Sequence, residues 1–377
     1  MMKDCVLCVD IGTTSLKAGL ISAEGEVVFI CTKNFTDCYS HFISLEWKNC
    51  LKNAVKDLHD SGVFTEAVVN AIAVSGNGPT LVSQEGFTFL WNEKIDFSVF
   101  SDFCEQAQNE LKKSLFLPRI VTFKKLYPQY FEDKIIFSGP EFLIYELTQK
   151  AVTILPEERF ISAYWTNENL SLCKIDFQKL PPFIEIGKIC GKLTKSAASY
   201  FGLPAELPVV SGGPDFVAAL IGTNTLQNGT LCDRCGSSEG FNFASSVLLQ
   251  DKNVRSLPSV VKGLWNASVL IPESANLSKK ERLLEAKKAI DILRSLAEQN
   301  KVSFPAKMTA TGGQAKDLSL LKEKSVVTGM QIEICQCADA ELLGNACAGF
   351  TALQKFENIR AAAKKIVKKN SINKELL

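Results

Sequence analysis

Apolar runs near the start of the chain predict three consecutive β-strands. Residues 5–11 and 16–22 are rich in β-branched and other apolar side chains, and residues 27–31 resume the pattern after the turn 23–26. A turn of small residues separates the first two strands. We therefore expect the chain to begin as a three-stranded antiparallel unit.

Helical and strand patterns continue through the first half of the chain. The patterns predict helices over 45–58, 103–113, 141–149 and 216–221, and buried strands over 68–75 and 207–210. Pro214 fits the first position of the last of these helices, because proline lacks the N–H that this position leaves unpaired. The first half is therefore predicted to be α/β.

The second half repeats the strand–turn–strand theme of the first. Strands are expected over 229–235, 241–244 and 306–310, with the turn 236–240 between the first two, and helices over 283–297, 339–353 and 360–369. The helix over 339–353 is rich in glycine and alanine, which suits close approach of another backbone. The helix over 360–369 is strongly basic, and we expect it to be solvated.

Composition excludes several classes of function. The 377 residues include 42 Lys and Arg against 41 Asp and Glu, so the net charge of +1 offers no footprint for nucleic acid or an anionic membrane. The length allows two or three domains. No apolar run approaches the roughly 18–20 residues that span a bilayer, and the first residues do not match a signal peptide. We expect a cytoplasmic protein.

Thirteen cysteines and only two histidines limit the metal chemistry. In a chain without a secretory signal we expect reduced, mostly buried thiols. Three cysteine pairs are close in sequence, namely Cys5 and Cys8, Cys232 and Cys235, and Cys335 and Cys337. Their spacing does not complete a tetrahedral zinc set, so core positions are favoured over zinc ligation.

The turn after the first strand carries residue types that bind phosphate. Gly12 lets the backbone approach an oxyanion, and the hydroxyls of Thr13 and Thr14 can donate to phosphate oxygens. Asp10 at the strand end could hold Mg²⁺, and Lys17 could neutralise phosphate charge. A hairpin with a polar turn and no ligand explains the same residues, and the turn alone does not decide between them.

Two further glycine turns strengthen the phosphate interpretation. One turn contains Gly236, Ser237 and Ser238, and the other joins a strand to a helix and contains Gly312, Gly313 and Gln314. Neither turn is a Walker loop, and the first strand is not followed by a dinucleotide-binding glycine pattern. A strand-to-helix connection that needs a positive φ is the alternative for the third turn.

In their order along the chain these segments resemble the FGGY carbohydrate kinases of the actin, hexokinase and heat-shock ATPase superfamily. The segments are 9–17 and 229–240 for phosphate, 311–316 and 340–346 for adenosine, 90–92 beside the sugar, and 211–215 around the catalytic acid. The resemblance implies an α/β fold of two ribonuclease-H-like (actin-like ATPase) domains with a cleft between them. The expected domains are 1–222 and 223–377, the second one shortened.

The resemblance also implies a role for each candidate residue. Asp215 would accept a proton from the attacking sugar hydroxyl, and Asp10 would position Mg²⁺. The ATP-binding residues would be Gly12, Thr13, Thr14, Lys17, Gly236, Ser237, Ser238, Gly312, Gly313 and Gln314, and Asn77, Trp91, Asn92 and Asp215 would contact the sugar. Two alternatives stay open. Asp215 could complement a helix dipole without any catalytic role, and Trp91 could be an ordinary core residue.

The leading hypothesis is therefore ATP-dependent phosphorylation of a sugar or polyol, as in xylulokinase or glycerol kinase. ATP and Mg²⁺ are the expected cofactors, and a homodimer is left open. Glu93 and Lys94 stand where the family usually has an acid and an arginine, and Asn77 replaces the commoner glutamine, so the sugar stays undefined. One alternative is a nucleotide- and carbohydrate-binding relative without turnover. A second is an ATPase that activates an iron–sulfur partner through Cys232 and Cys235.

Overall fold

The computed structural model describes residues 2–95, 97–132 and 134–372. The chain forms two compact units. Unit 1 comprises Met1–Leu20 and Val28–Asp215, and unit 2 comprises Ile21–Val27 and Phe216–Leu377. Both units combine helices with β-sheets, as predicted.

Unit 1 contains a six-stranded sheet, a three-stranded sheet and a two-stranded sheet. The strands in chain order are β1 (Lys3–Ile11), β2 (Ser15–Ser22), β3 (Val27–Asn34), β4 (Ala67–Gly76), β5 (Leu81–Ser83), β6 (Thr88–Phe89), β7 (Ile136–Phe137), β8 (Thr153–Leu155), β9 (Phe183–Glu185), β10 (Ile189–Lys192) and β11 (Pro208–Pro214). The helices are α1 (Ile43–Asp60), α2 (Glu105–Lys113), α3 (Leu117–Leu126), α4 (Pro128–Phe131), α5 (Glu141–Thr148), α6 (Asn167–Leu172) and α7 (Lys195–Phe201). Helix α8 (Asp215–Gly222) starts with the last residue of unit 1 and otherwise belongs to unit 2.

The six-stranded sheet has the order β10-β11-β4-β1-β2-β3. The central strand β4 pairs in parallel with β1 on one side and with β11 on the other. Its run from Ala71 to Gly76 is buried, as expected for a parallel strand that is covered on both faces. Helices α1 and α5 pack against each other through an edge-on contact of Trp47 and Phe142.

Unit 2 is built around one seven-stranded sheet of order β14-β15-β13-β12-β16-β17-β18. Its strands are β12 (Thr230–Cys235), β13 (Glu239–Ser245), β14 (Arg255–Pro258), β15 (Trp265–Ile271), β16 (Lys307–Thr311), β17 (Gln331–Cys335) and β18 (Lys369–Ser371). Its helices are α9 (Lys279–Gln299), α10 (Leu318–Thr328), α11 (Ala340–Ala352) and α12 (Ile359–Ile366).

Small residues bring α11 close to α8, as the composition of α11 predicts. A Cβ on Gly222 would overlap the carbonyl oxygen of Ala340, and a Cβ on Gly344 would overlap that of Ala218. On the other side, α9 starts with a capping box formed by Ser278 and Glu281 and buries an apolar stripe in the core of the unit. Helix α9 therefore covers the apolar core of the sheet, and α8 and α11 pack closely on each other.

Most of the strands and helices predicted from the sequence are confirmed. The strands predicted over 5–11, 68–75 and 229–235 correspond to β1, β4 and β12, and the helices over 45–58 and 339–353 correspond to α1 and α11. The prediction for the segment 211–215 was wrong in part. Pro214 is the last residue of β11 rather than the first of the helix, because pairing with β4 continues to Gly76 and extends the strand.

The basic segment 360–369 differs from the expected solvated helix. The helix ends at Ile366, and Ala362, Ala363 and Ile366 form a buried face. Lys369 then opens β18, which pairs with β17, and its ammonium group donates to Thr309 Oγ1 at 2.9 Å. The segment 360–369 is therefore an amphipathic helix followed by an edge strand, and its apolar residues are buried.

All thirteen cysteines lie in the described ranges and are free thiols. Within those ranges, no helix combines the length and the apolar character needed to cross a membrane.

One buried carboxyl group in unit 1 makes stability depend on pH. Glu141, in the first turn of α5, accepts hydrogen bonds through Oε1 from Ser138 Oγ at 2.9 Å and from the Ile154 N–H at 2.8 Å. Its Oε2 has no hydrogen-bond partner among the described residues. Burial raises the pKa of Glu141 from its ordinary 4.5 to about 7.

We predict that Glu141→Gln removes a loss of stability that the wild type shows above pH 4.5. Below that pH both states hold the proton, whereas between pH 4.5 and about 7 only the folded state keeps it, so the free energy of unfolding falls. A shift of this size corresponds to about 3 kcal/mol. Urea unfolding at pH 4.5 and pH 8 measures the difference. The exposed Glu158→Gln serves as the control, and parallel pH profiles of wild type and Glu141→Gln would contradict the prediction.

Candidate functional site

The carboxyl ends of β11, β4 and β1 bring three candidate residues of unit 1 to one sheet edge. Pro214 pairs with Gly76 and Gly76 pairs with Ile11, so the next residues along the three strands are Asp215, Asn77 and Gly12. Asp10 lies one residue before Ile11. The outer two strands are two strand spacings apart, which is about 10 Å.

A bulge in β11 sets the position of Asp215 at this edge. The register between β11 and β4 shifts between Ser211 and Gly213, so one extra residue is inserted just before the strand ends. Bulges of this kind redirect the chain and recur beside functional sites. Asp215 then begins α8 as a half-buried residue.

Asp10 and the turn that follows it are arranged for an anionic ligand. Asp10 is buried, and its Oδ1 accepts a hydrogen bond from Ser75 Oγ at 2.7 Å on the neighbouring strand. The turn closes with a hydrogen bond from the Gly12 N–H to the Ser15 carbonyl at 2.9 Å. Thr13 is half-buried and Thr14 is exposed. The fixed carboxylate and two nearby hydroxyls match the ligands of a metal–phosphate group.

Asn77 holds this turn in place. Its backbone N–H donates to the Ile11 carbonyl and its Nδ2 donates to the Gly12 carbonyl, both at 2.8 Å. Its Oδ1 accepts from Thr80 Oγ1 at 2.7 Å. The side chain is therefore already engaged on both its donor and its acceptor atoms. Its contribution to a sugar site would come from the position that it gives to the turn.

Trp91 is joined to the same turn. Its indole Nε1 donates to Thr13 Oγ1 at 3.2 Å, and its backbone N–H donates to Thr80 Oγ1 at 3.2 Å. Trp91 is half-buried and Asn92 is exposed. The indole therefore lies at the surface beside the candidate phosphate turn, which argues against an ordinary core tryptophan.

Sequence reasoning missed Arg119, which positions the loop that contains Trp91. The buried guanidinium donates to the carbonyl of Leu90 at 2.7 Å and to that of Glu93 at 3.3 Å, and also to the Trp91 carbonyl. Burial lowers the pKa of Arg119 to about 10 and raises the pKa of Glu93, which lies near it. The signal in the sequence was an arginine within the otherwise apolar run 115–123.

The two candidate turns of unit 2 lie next to each other. Strands β12 and β16 pair in parallel, with Arg234 opposite Thr311, so the turns that follow them meet at one edge. Gln314 Nε2 donates to the Gly236 carbonyl at 2.6 Å. Gly312 has a φ of +96°, and a Cβ there would lie 2.8 Å from the Cys235 carbonyl oxygen, so glycine is needed at this crossing.

These turns leave room and hydrogen-bonding capacity for a ligand. Ser237 is exposed, and a Cβ placed on the exposed Gly313 would meet no atom within 4 Å. Gln314 Oε1 is buried without a hydrogen-bond partner in the described part of the chain. Hydroxyls, open backbone and an unpaired amide oxygen together fit the phosphates and base of a nucleotide.

A buried charged cluster lies beneath the turn 236–238, and sequence reasoning also missed it. The ammonium group of Lys324 on α10 lies 2.7 Å from Asp233 Oδ2 and 2.7 Å from Glu239 Oε1, and 3.5 Å from Cys235 Sγ. Asp233, Cys235 and Glu239 have the ligand atoms of a metal site. Because the Lys324 ammonium already contacts all three residues, it supplies the positive charge that a metal ion would otherwise bring.

Comparison with known proteins identifies relatives of this chain. The model of the FGGY family of carbohydrate kinases, N-terminal domain, matches residues 159–222. Xylulose kinase of Staphylococcus epidermidis is 23% identical over 268 residues, which cover 63% of this chain and 52% of that protein. The chain therefore spans about half the length of the curated relatives that it matches.

Solved structures confirm the fold. Gluconate kinase from Lactobacillus acidophilus aligns with a TM-score of 0.76 at 14% identity, over 98% of this chain and 93% of that chain. Plasmodium falciparum glycerol kinase with ADP aligns with a TM-score of 0.76 at 12% identity, over the same shares of 98% and 93%. These findings confirm the predicted resemblance to the FGGY carbohydrate kinases and the predicted two-domain α/β fold. The boundary at residue 222 and the roles of the site residues stay predictions.

We predict that Arg119→Met destabilises unit 1 through the loop 90–93. The substitution removes the guanidinium donor from the carbonyls of Leu90, Trp91 and Glu93, of which that of Leu90 keeps the Glu93 N–H. A loss of about 2–4 kcal/mol in the free energy of unfolding is expected, because each carbonyl left without a donor costs about 1–3 kcal/mol. Urea unfolding followed by circular dichroism measures it. Lys125→Met, on the exposed side of the same helix, is the control and should change stability by less than about 0.5 kcal/mol. Equal losses in the two variants would show that the guanidinium contacts contribute little.

Proposed function

We propose that this protein transfers the terminal phosphoryl group of ATP to a hydroxyl group of a sugar or polyol. The observation that carries the proposal is the sheet edge in unit 1, where the parallel strands β1, β4 and β11 align Asp10, Gly12, Asn77 and Asp215. The names of the relatives, xylulose, gluconate and glycerol kinases, favour a small polyhydroxylated acceptor.

Asp215 is the proposed catalytic residue. Its carboxylate, at the first residue of α8, would accept the proton of the attacking hydroxyl. Phosphoryl transfer needs a positioned acceptor more than a strong base, because most of the catalysis is electrostatic. A half-buried carboxylate at a strand end meets that requirement.

Asp10, Thr13, Thr14 and Lys17 would surround the transferred group. ATP would supply the phosphoryl group, and Mg²⁺ would neutralise part of the negative charge of the phosphates. Asp10 would hold the metal ion through its carboxylate, which Ser75 orients. The two threonine hydroxyls would donate to phosphate oxygens, and the Lys17 ammonium would add positive charge.

Trp91 and Asn92 are the proposed sugar contacts. The half-buried indole can cover an apolar face of the sugar, and the exposed amide of Asn92 can bond to hydroxyl groups. Because Trp91 donates to Thr13, the sugar loop and the phosphate turn are held in one arrangement. Asn77 would act by holding the same turn.

The residues of unit 2 are proposed to bind the remainder of the nucleotide. Gly236, Ser237 and Ser238 would donate to its phosphates. Gly312, Gly313 and Gln314 would contact the adenosine. The open surface at Gly313 and the unpaired Gln314 Oε1 support this assignment.

The cysteine geometry argues against the iron–sulfur alternative. Cys232 and Cys235 are both fully buried inside unit 2, so neither thiol can reach a cluster shared with a second molecule. Burial raises the pKa of Cys232 to about 12, which keeps the thiol protonated at neutral pH, whereas a cluster needs thiolates.

We predict that Asp215→Asn lowers kcat by about 10²–10⁴-fold, the range expected on losing a proton acceptor. The dissociation constant for ADP should change by less than about threefold, because Asp215 is not among the proposed nucleotide contacts. A coupled ADP-release assay with xylulose, gluconate and glycerol as acceptors measures turnover, and calorimetry measures binding. Asp60→Asn, at the exposed end of α1, is the control.

The outcomes separate the remaining hypotheses. Turnover that survives in Asp215→Asn would overturn the role of Asp215. A wild-type protein that binds ADP and sugar but transfers phosphate to no acceptor would instead support the binding relative without turnover.

A further inference from the structure

Lys324 is a buried cation that joins both strands of the hairpin carrying the turn 236–238. Its Nζ lies 2.7 Å from Asp233 Oδ2 on β12 and 2.7 Å from Glu239 Oε1 on β13. The side chains of all three residues are fully buried. Asp233 and Glu239 lie on either side of the turn, so the ammonium group links the two strands directly beneath it.

The cluster is also connected to the far side of the turn. Ser274 Oγ donates to Glu239 Oε2 at 2.8 Å, and the next residue, Ala275, donates its backbone N–H to the Ser237 carbonyl at 3.0 Å. The cross-strand pair of Cys235 and Glu239 closes the hairpin. The position of the turn is therefore set by charged and hydrogen-bonded contacts on three sides.

A gain in stability is a weak explanation for a lysine buried between two carboxyl groups. Moving each ion out of water is costly, and an apolar trio of the same volume is often equally stable or more so. Here one oxygen, Asp233 Oδ1, even lacks a hydrogen-bond partner among the described residues. The arrangement does supply directional contacts, which apolar packing would not.

We propose that Lys324 is a positioning residue for nucleotide binding, acting through Asp233 and Glu239 to hold Gly236, Ser237 and Ser238 in the geometry that donates to phosphate. This inference rests on the proposed function. Lys324 itself touches no ligand, because its ammonium group is enclosed by Asp233, Cys235, Glu239 and the ring of Phe241 at 5.7 Å.

Two variants separate positioning from simple stabilisation. Lys324→Met leaves two carboxylates buried beside each other and should lower the melting temperature strongly. The triple variant Asp233→Leu, Glu239→Met, Lys324→Met replaces the cluster by apolar side chains of similar volume and should melt close to the wild type. Lys287→Met, an exposed lysine of α9 paired with Asp291, is the control for loss of a lysine.

The expected result is a selective loss of nucleotide affinity in the triple variant. Its KM for ATP and its dissociation constant for ADP should rise at least tenfold, while its KM for the sugar stays within twofold of the wild type. Ser274→Ala, which removes only the hydroxyl bonded to Glu239, should raise the KM for ATP two- to fivefold with little change in melting temperature. It keeps the test available if the other variants do not fold.

Other results would overturn the inference. Wild-type nucleotide affinity in the triple variant and in Ser274→Ala would show that the cluster has no positioning role. Equal increases in the KM for ATP and the KM for the sugar would show a general loss of structure. If the wild type itself binds neither ATP nor ADP, the proposed function fails and this inference fails with it. If the wild type binds nucleotide and the variants bind it equally well, only this inference fails.

Discussion

Parallel pairing of β4 with β1 and β11 is the constraint on which the site in unit 1 depends. The strands are held by buried backbone ladders, and their register places Asp10, Asn77 and Asp215 at one edge. A slip of one residue would turn each side chain to the opposite face of the sheet. The bulge near Gly213 inserts one residue into β11 just before α8 begins.

Two buried cations organise the loops that surround the candidate ligand positions. Arg119 binds three carbonyl oxygens of the loop around Trp91, and Lys324 binds two carboxylates below the turn 236–238. In both cases burial makes each unpaired polar atom costly, so the loop and the cation hold one another in place. Rigid loops of this kind reduce the free energy that ordering would otherwise cost on binding.

Hydrogen bonds also connect the parts of unit 1 that the sequence shows as separate motifs. Trp91 donates to Thr13, and Asn77 donates to the carbonyl of Gly12. The candidate sugar loop and the candidate phosphate turn are therefore joined by a direct hydrogen bond.

Short-range patterns in the sequence were enough to predict the strand–turn–strand units, the main helices and the three glycine turns, because hydrophobic period and turn residues act over a few positions. The end of β11 at Pro214, the buried face of α12 and the partners of Arg119 and Lys324 were decided only by the tertiary structure. Lys324 and Asp233 are 91 residues apart along the chain. Which distant groups meet depends on sheet pairing and helix packing, and no local pattern encodes that meeting.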